Sequence, residues 1–196
     1  PPTEPVMRSL PSALFAVGIA LVLGLGPGCG KPQFIPRAAP GVRVASITVT
    51  SPAFAEGARI PVDHTCDGSD LIPELVLSSP PENTKSLVLY VEDPDAPNGT
   101  VVHMVAFNLS PDLRKLPSGT QLTNAGEDAR FGLNDFDVAR YSGPCPPRGE
   151  AHRYRFRVVA LDTVLALPEG TPRRQIDEAT DGHIIGEGYL TGNFGH

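Results

Sequence analysis

The spacing of apolar positions changes several times along the chain, and each change predicts an element. Val44 to Thr50 (VASITVT) alternates apolar and polar residues and is β-branched, which predicts a half-buried strand. Leu87 to Val91 (LVLYV) is apolar without interruption, the pattern of a strand buried on both faces. It stops at Glu92-Asp93-Pro94-Asp95-Ala96-Pro97-Asn98-Gly99, where the prolines and Asn-Gly force a turn, with Ala96-Pro97 expected as a cis bond. Val101 to Leu109 (VVHMVAFNL) predicts a second apolar strand, and a period of two puts Val101, His103, Val105 and Phe107 on one face. A polar stretch then reaches about Gly143. After it, His152, Tyr154 and Phe156 alternate with Arg153, Arg155 and Arg157 in a strand running to Leu161. Helical signals are convincing once, with Thr171 as cap, Pro172 at the first helical position and RRQIDEAT continuing until Gly182. A last strand covers about His183 to Leu190. The pattern is mostly β with minor α, and predicts a sandwich or Greek-key sheet.

Composition agrees with this and narrows the function. The 22 prolines and 20 glycines in 196 residues fall between apolar runs, as in a loop-rich β protein. The length suits one domain with a tail. With 16 Lys+Arg against 22 Asp+Glu, the chain lacks the basic stripe that nucleic-acid binding requires.

Residues 1–28 carry a basic start at Arg8, an uncharged apolar stretch and a small-residue exit, the layout of an export signal. Cys29 follows Gly26-Pro27-Gly28 and resembles the lipidated cysteine of bacterial lipoproteins, which would place the protein at the cell envelope, in contact with the membrane through its anchor. A plain secretory signal, giving a periplasmic or secreted protein, and an uncleaved anchor are the alternatives. Residues 29–43 read as an extended tether and 44–196 as the folded domain. In an oxidising compartment Cys66 and Cys145 are expected to form a disulfide.

The chemistry concentrates at three places. Asp93 and Asp95 follow one strand, His103 lies inside the next and His152 opens a third. A histidine in an apolar strand needs a hydrogen-bond partner, and an aspartate at a neighbouring strand end could serve, fixing the tautomer and raising the imidazole's pKa. Two such rings, with backbone N–H groups from a loop, make a receptor for phosphate or carboxylate. The preceding GPCPPRG loop, from Gly143, supplies few donors but a stiff, partly apolar wall.

DPDAPNG, VVHMVAFNL, GPCPPRGEAHRYRF and the closing GHIIGEGYLTG, together with HTCDGSD, resemble the bacterial branch of the phosphatidylethanolamine-binding protein family, also known for Raf kinase inhibitor proteins. The resemblance runs from about Ser51 to Gly192. It implies a central antiparallel sheet flanked by a smaller sheet and short helices. It also implies a pocket for phosphate-like anions such as a phospholipid head group, formed by Asp93, His103, Pro147, His152 and Tyr154, with Asp95 in support. It implies no cofactor. The family often has a tryptophan just before the strand histidine. Val101 and Val102 stand there instead, so a more open or less aromatic mouth is expected.

Other functions compete with that reading. A hydrolase using Cys145 and His152 would need a free thiolate, which the disulfide removes. No serine sits in a nucleophile motif, so no enzyme is expected. A zinc site from Asp63, His64, Cys66 and Cys145 lacks paired ligand spacing, and no resident metal is expected. A protein-interaction module inhibiting a protease or kinase is the main alternative to small-ligand binding. The Arg153/Arg155/Arg157 row reads as a solvated or ion-paired strand face.

Overall fold

The computed structural model describes residues 36–196. The export segment, Cys29 and most of the tether lie outside the described residues.

The strands in chain order are β1 (Ala45–Ser46), β2 (Val49–Thr50), β3 (Leu75–Leu77), β4 (Ser86–Asp93), β5 (Val101–Leu109), β6 (Lys115–Leu116), β7 (Arg130–Phe131), β8 (Ala151–Leu161) and β9 (Ile184–Gly195), with helix α1 (Arg173–Thr180) before β9. They form a six-stranded sheet in the order β1-β9-β8-β4-β5-β7 and a three-stranded sheet in the order β2-β3-β6. All pairings between these strands are antiparallel except β1 with β9.

Both faces of the main sheet are covered, which is why β4 and β5 are mostly apolar through their middles. On one face Leu89, Val91, Met104, Phe156 and Val158 pack with Val49, Leu75, Leu77 and Leu116 of the small sheet. On the other, Val88, Val105, Phe107 and Val159 pack with Leu165 and with Ile176 of α1. Each layer removes apolar surface from water at roughly 25 cal/mol per Å².

Several predicted elements differ in detail. The run from Val44 to Thr50 is two strands in two sheets. Ile47 N–H donates to the Glu187 carbonyl at 2.8 Å, and Val49 then pairs with Leu77. Ile47 and Val49 are both buried, so a period of two holds across the crossing and hides it. Gly188 permits the crossing, since a Cβ there would collide with the Ile47 carbonyl.

β9 continues past Leu190 to Gly195, because Phe54 and Ile60 lie directly over Gly192 and use the space its missing side chain leaves. Helix α1 begins at Arg173, one residue after Pro172. Thr171 does not cap it; its hydroxyl donates to the Pro168 carbonyl at 2.7 Å.

Ala96–Pro97 is trans, and the turn is closed by Gly99, at φ 102°, donating to the Ala96 carbonyl. Contacts of the fold begin ahead of residue 44, for Arg37 forks onto Asp181 and Ala39 N–H donates to the Ile184 carbonyl.

Candidate functional site

β4 lies between β5 and β8 and is antiparallel to both, so its C-terminal end meets the N-terminal ends of its two neighbours. Asp93 is that end. His103 comes from β5, His152 and Tyr154 from β8, and the topology brings all four together. His103 and Tyr154 meet edge to face with ring centroids 5.3 Å apart, and the His152 and Tyr154 rings lie nearly parallel at 6.5 Å.

His103 arrives on this face by a device that alternation could not foretell. Val91 pairs with Met104 but Glu92 pairs with Val102, so β5 carries one extra residue, His103, against β4. This β-bulge turns His103 away from Val105 and Phe107, with which strict alternation grouped it, and toward Tyr154. The bulge takes the His103 carbonyl out of the ladder. It accepts instead from Ser142 N–H at 3.1 Å and from Asn134 Nδ2 at 2.9 Å.

The two imidazoles are in different states. His152 Nδ1 lies 2.8 Å from Asp93 Oδ2 and its Nε2 lies 3.2 Å from Glu150 Oε2. Carboxylates only accept, so both bonds call for N–H on both nitrogens. The pKa is raised accordingly, by the Asp93 bond above all, and the ring is held toward the cation. That pairing stabilises the fold below the ordinary imidazole pKa, and the gain is lost as pH rises through the raised value. His103 is the reverse. Its Nδ1 donates to the Ser142 carbonyl at 2.7 Å, and burial lowers its pKa and favours the neutral ring. Asp93 therefore partners His152, its other oxygen accepting from the Asp95 N–H at 2.9 Å, while His103 has the Ser142 carbonyl in place of the expected aspartate.

Tyr154 is fully buried, and its hydroxyl lies beside the Cys145 backbone and the Asp93 carboxylate without closing a well-aligned hydrogen bond to either. Burial, and after it the negative charge of Asp93, pushes the phenol's pKa well up, so it stays protonated and able to donate. Asp95 supports the group from outside: it accepts from the Arg153 backbone and guanidinium, and that fork holds its carboxyl at about 2. Pro147 is exposed on the loop beyond, and its carbonyl accepts from Glu150 N–H in the turn that delivers Glu150.

Cys66 and Cys145 are joined, tying the wall to the DHTCDG segment. The same seam holds Gly143 N–H on Asp70 Oδ1 and the Tyr141 hydroxyl on the His64 carbonyl. His64 is buried with Nδ1 against the Leu71 carbonyl, and it is His196 that groups with Cys66 and Cys145. The arginine row is ion-paired: Arg153 to Asp95, Arg155 to Glu92, Arg157 to Glu187.

Three contributors escaped sequence reasoning because they lie in loops without periodicity. Glu150 caps His152. Phe136, half exposed, sits edge-on to His103 at 5.1 Å, an aromatic neighbour from outside the strand. Asn134 binds the bulge through Nδ2 while its Oδ1 accepts from Phe136 N–H and Val138 N–H. An Asn-Asp pair bounded by apolar residues was the available signal. A separate cleft of about 380 Å³ opens on the helix-covered face, lined by Tyr90, Glu92, Arg155, Arg157, Arg173 and Asp177 among others.

This arrangement can be set against known proteins. The sequence model of the phosphatidylethanolamine-binding proteins matches residues 50–195, which include every side chain of the site. A UPF0098 protein of Pyrococcus horikoshii is 38% identical over 194 residues, covering 96% of this chain and 90% of the relative. A crystal structure of a phosphatidylethanolamine-binding protein homologue from Chlamydia trachomatis superposes with a TM-score of 0.69 at 40% identity, over 77% of this chain and 98% of the other. Escherichia coli YbcL, described as a new member of the mammalian family, superposes at 0.72 with 29% identity, over 78% of this chain and 99% of its own. Motif order, sheet topology and relatives agree, and the chain belongs to the phosphatidylethanolamine-binding protein family.

Proposed function

We propose that the protein is a binding module, not an enzyme, and that Asp93, His103, His152, Tyr154 and the Pro147 wall take up a phosphate-bearing or carboxylate group, as on a phospholipid head group. The observation that supports this reading is the buried Tyr154 phenol, whose ring lies between two imidazoles and whose hydroxyl is without a well-aligned hydrogen bond. Such a hydroxyl can donate to an anion without giving up a strong bond. His152 offers Nε2–H once Glu150 gives way. His103, with Nδ1–H committed to Ser142, presents Nε2, which accepts from a protonated phosphate oxygen or takes a proton and donates.

The test is an NMR titration of the full chain with inorganic phosphate and with phosphoethanolamine, following the histidine rings. His103 and His152 should shift together and saturate, while His64 and His183 hold still. Silence of both rings up to millimolar ligand would sink the reading and favour a protein-interaction role. Affinity should rise as pH falls, because the anion meets more imidazolium. Calorimetry in buffers of different ionisation enthalpy should accordingly show protons taken up on binding.

We further read the chain as exported and anchored through Cys29. In a bacterial host, Cys29→Ser should move the protein from the membrane fraction to the soluble one, and an unchanged distribution would reject lipidation at that residue.

A further inference from the structure

The disulfide has a neighbour that the anion site does not use. Cys66, Cys145 and His196 come from three distant segments, yet one ligand atom from each lies within 4.8 Å of the others. His196 is held in place: its side chain is 13% exposed, its ring packs edge-on to Phe194 at 5.6 Å, and its Nδ1 lies 2.9 Å from Asp67 Oδ2. Because that carboxylate accepts the Nδ1 proton, the ring's Nε2 is left with its lone pair free for a metal. A carboxylate that orients an imidazole through one nitrogen while the other binds an ion is a recurrent feature of zinc centres.

We infer that opening the Cys66–Cys145 bond converts this corner into a cysteine–cysteine–histidine site for a thiophilic divalent cation such as Zn²⁺, with Asp67 orienting His196. The step needs a dithiol reductant. Thiolate attack breaks the Sγ–Sγ bond, and two electrons and two protons pass to the cysteines while the reductant leaves as its own disulfide. Zn²⁺ then displaces both thiol protons to solvent and takes two thiolates and one imidazole, leaving a fourth tetrahedral position for water or an anion. Cys66 and Cys145 are both exposed residues, which opens the corner to reductant and ion. The anion site is not required, but it is adjacent, since the Cys145 backbone neighbours the Tyr154 phenol.

The probe is Co²⁺, whose thiolate complexes are coloured. The full chain is reduced with dithiothreitol, desalted under argon and titrated. The expected result is a sulfur-to-cobalt charge-transfer band with tetrahedral visible bands, saturating at one ion per chain, and no such band in the oxidised chain. The ion should also raise the melting temperature of the reduced protein, because it binds the folded state. Asp67→Asn should weaken Co²⁺ binding roughly 10–100-fold, and His196→Ala at least as much. Both sites are at the surface, so neither variant depends on rebuilding the core. Absence of the band in the reduced chain, absence of thermal stabilisation, or unchanged affinity in His196→Ala would each overturn the inference.

Discussion

Tyr154→Phe is expected to separate stability from binding in opposite directions. The hydroxyl is buried and closes no well-aligned hydrogen bond to the nearby Cys145 backbone or Asp93, so deleting it removes a desolvated donor and leaves the aromatic packing against His103 and His152 in place. The variant should be at least as stable as the parent, with a gain of up to about 1–3 kcal/mol. A bound phosphate then loses a hydrogen bond to a charged acceptor, worth about 1.5–3 kcal/mol, so its affinity should drop roughly 10–100-fold. Chemical denaturation and phosphate titration of the same preparation decide it. A variant that is less stable and binds equally well would mean that the hydroxyl serves the fold and not the ligand.

The second large effect is on stability. The Cys66–Cys145 bond spans a sequence separation of 79, and chain-entropy arguments assign such a link about 4.5 kcal/mol. The paired change Cys66→Ser and Cys145→Ser should lower the free energy of unfolding by nearly that amount, read from denaturant curves whose slope steepens because the unfolded chain is no longer cross-linked. The loss should not be complete, because the seam retains Cys66 N–H on the Pro144 carbonyl, Gly143 N–H on Asp70 and the Tyr141 hydroxyl on His64. A loss under 1 kcal/mol would show that these bonds alone hold the wall.

Much of the fold was legible because β4, β5 and β8 are long and their burial is regular. β4 and β5 are covered on both sides and read as unbroken apolar runs. β8 has one buried side and one ion-paired side toward its start, so His152, Tyr154 and Phe156 alternate with arginines that find Asp95, Glu92 and Glu187. What escaped detection follows from the limits of periodicity. A period of two has the same appearance in one sheet or two, which concealed the crossing at Ile47. Glycine-rich TGNFG looks like the end of a strand until Phe54 and Ile60 are seen to fill the space above it.

The candidate site divides in the same way. Asp93, His152 and Tyr154 stand where strand ends and alternation put them. His103 was identified, but its face and its partner were not, because a single extra residue in β5 reverses the side on which a side chain emerges. Asn134 and Phe136 arrive on a loop held by hydrogen bonds to the distant backbone of Val102, His103 and Thr171, and Glu150 on a turn closed onto Pro147, and no apolar periodicity reports either.

The bulge has a mechanical consequence for the pocket. Its freed carbonyl is held by Asn134 Nδ2, the same amide's Oδ1 holds the backbone of Phe136, and the His103 ring is pinned to the Ser142 carbonyl. The Phe136 backbone and the bulged strand are thereby tied through one side-chain amide. Displacing that backbone would pull on the amide that satisfies the strand beneath it. On the binding role proposed above, an anion reaching His103 would pass the Phe136 ring first, and selection among head groups would begin there, before any proton is shared.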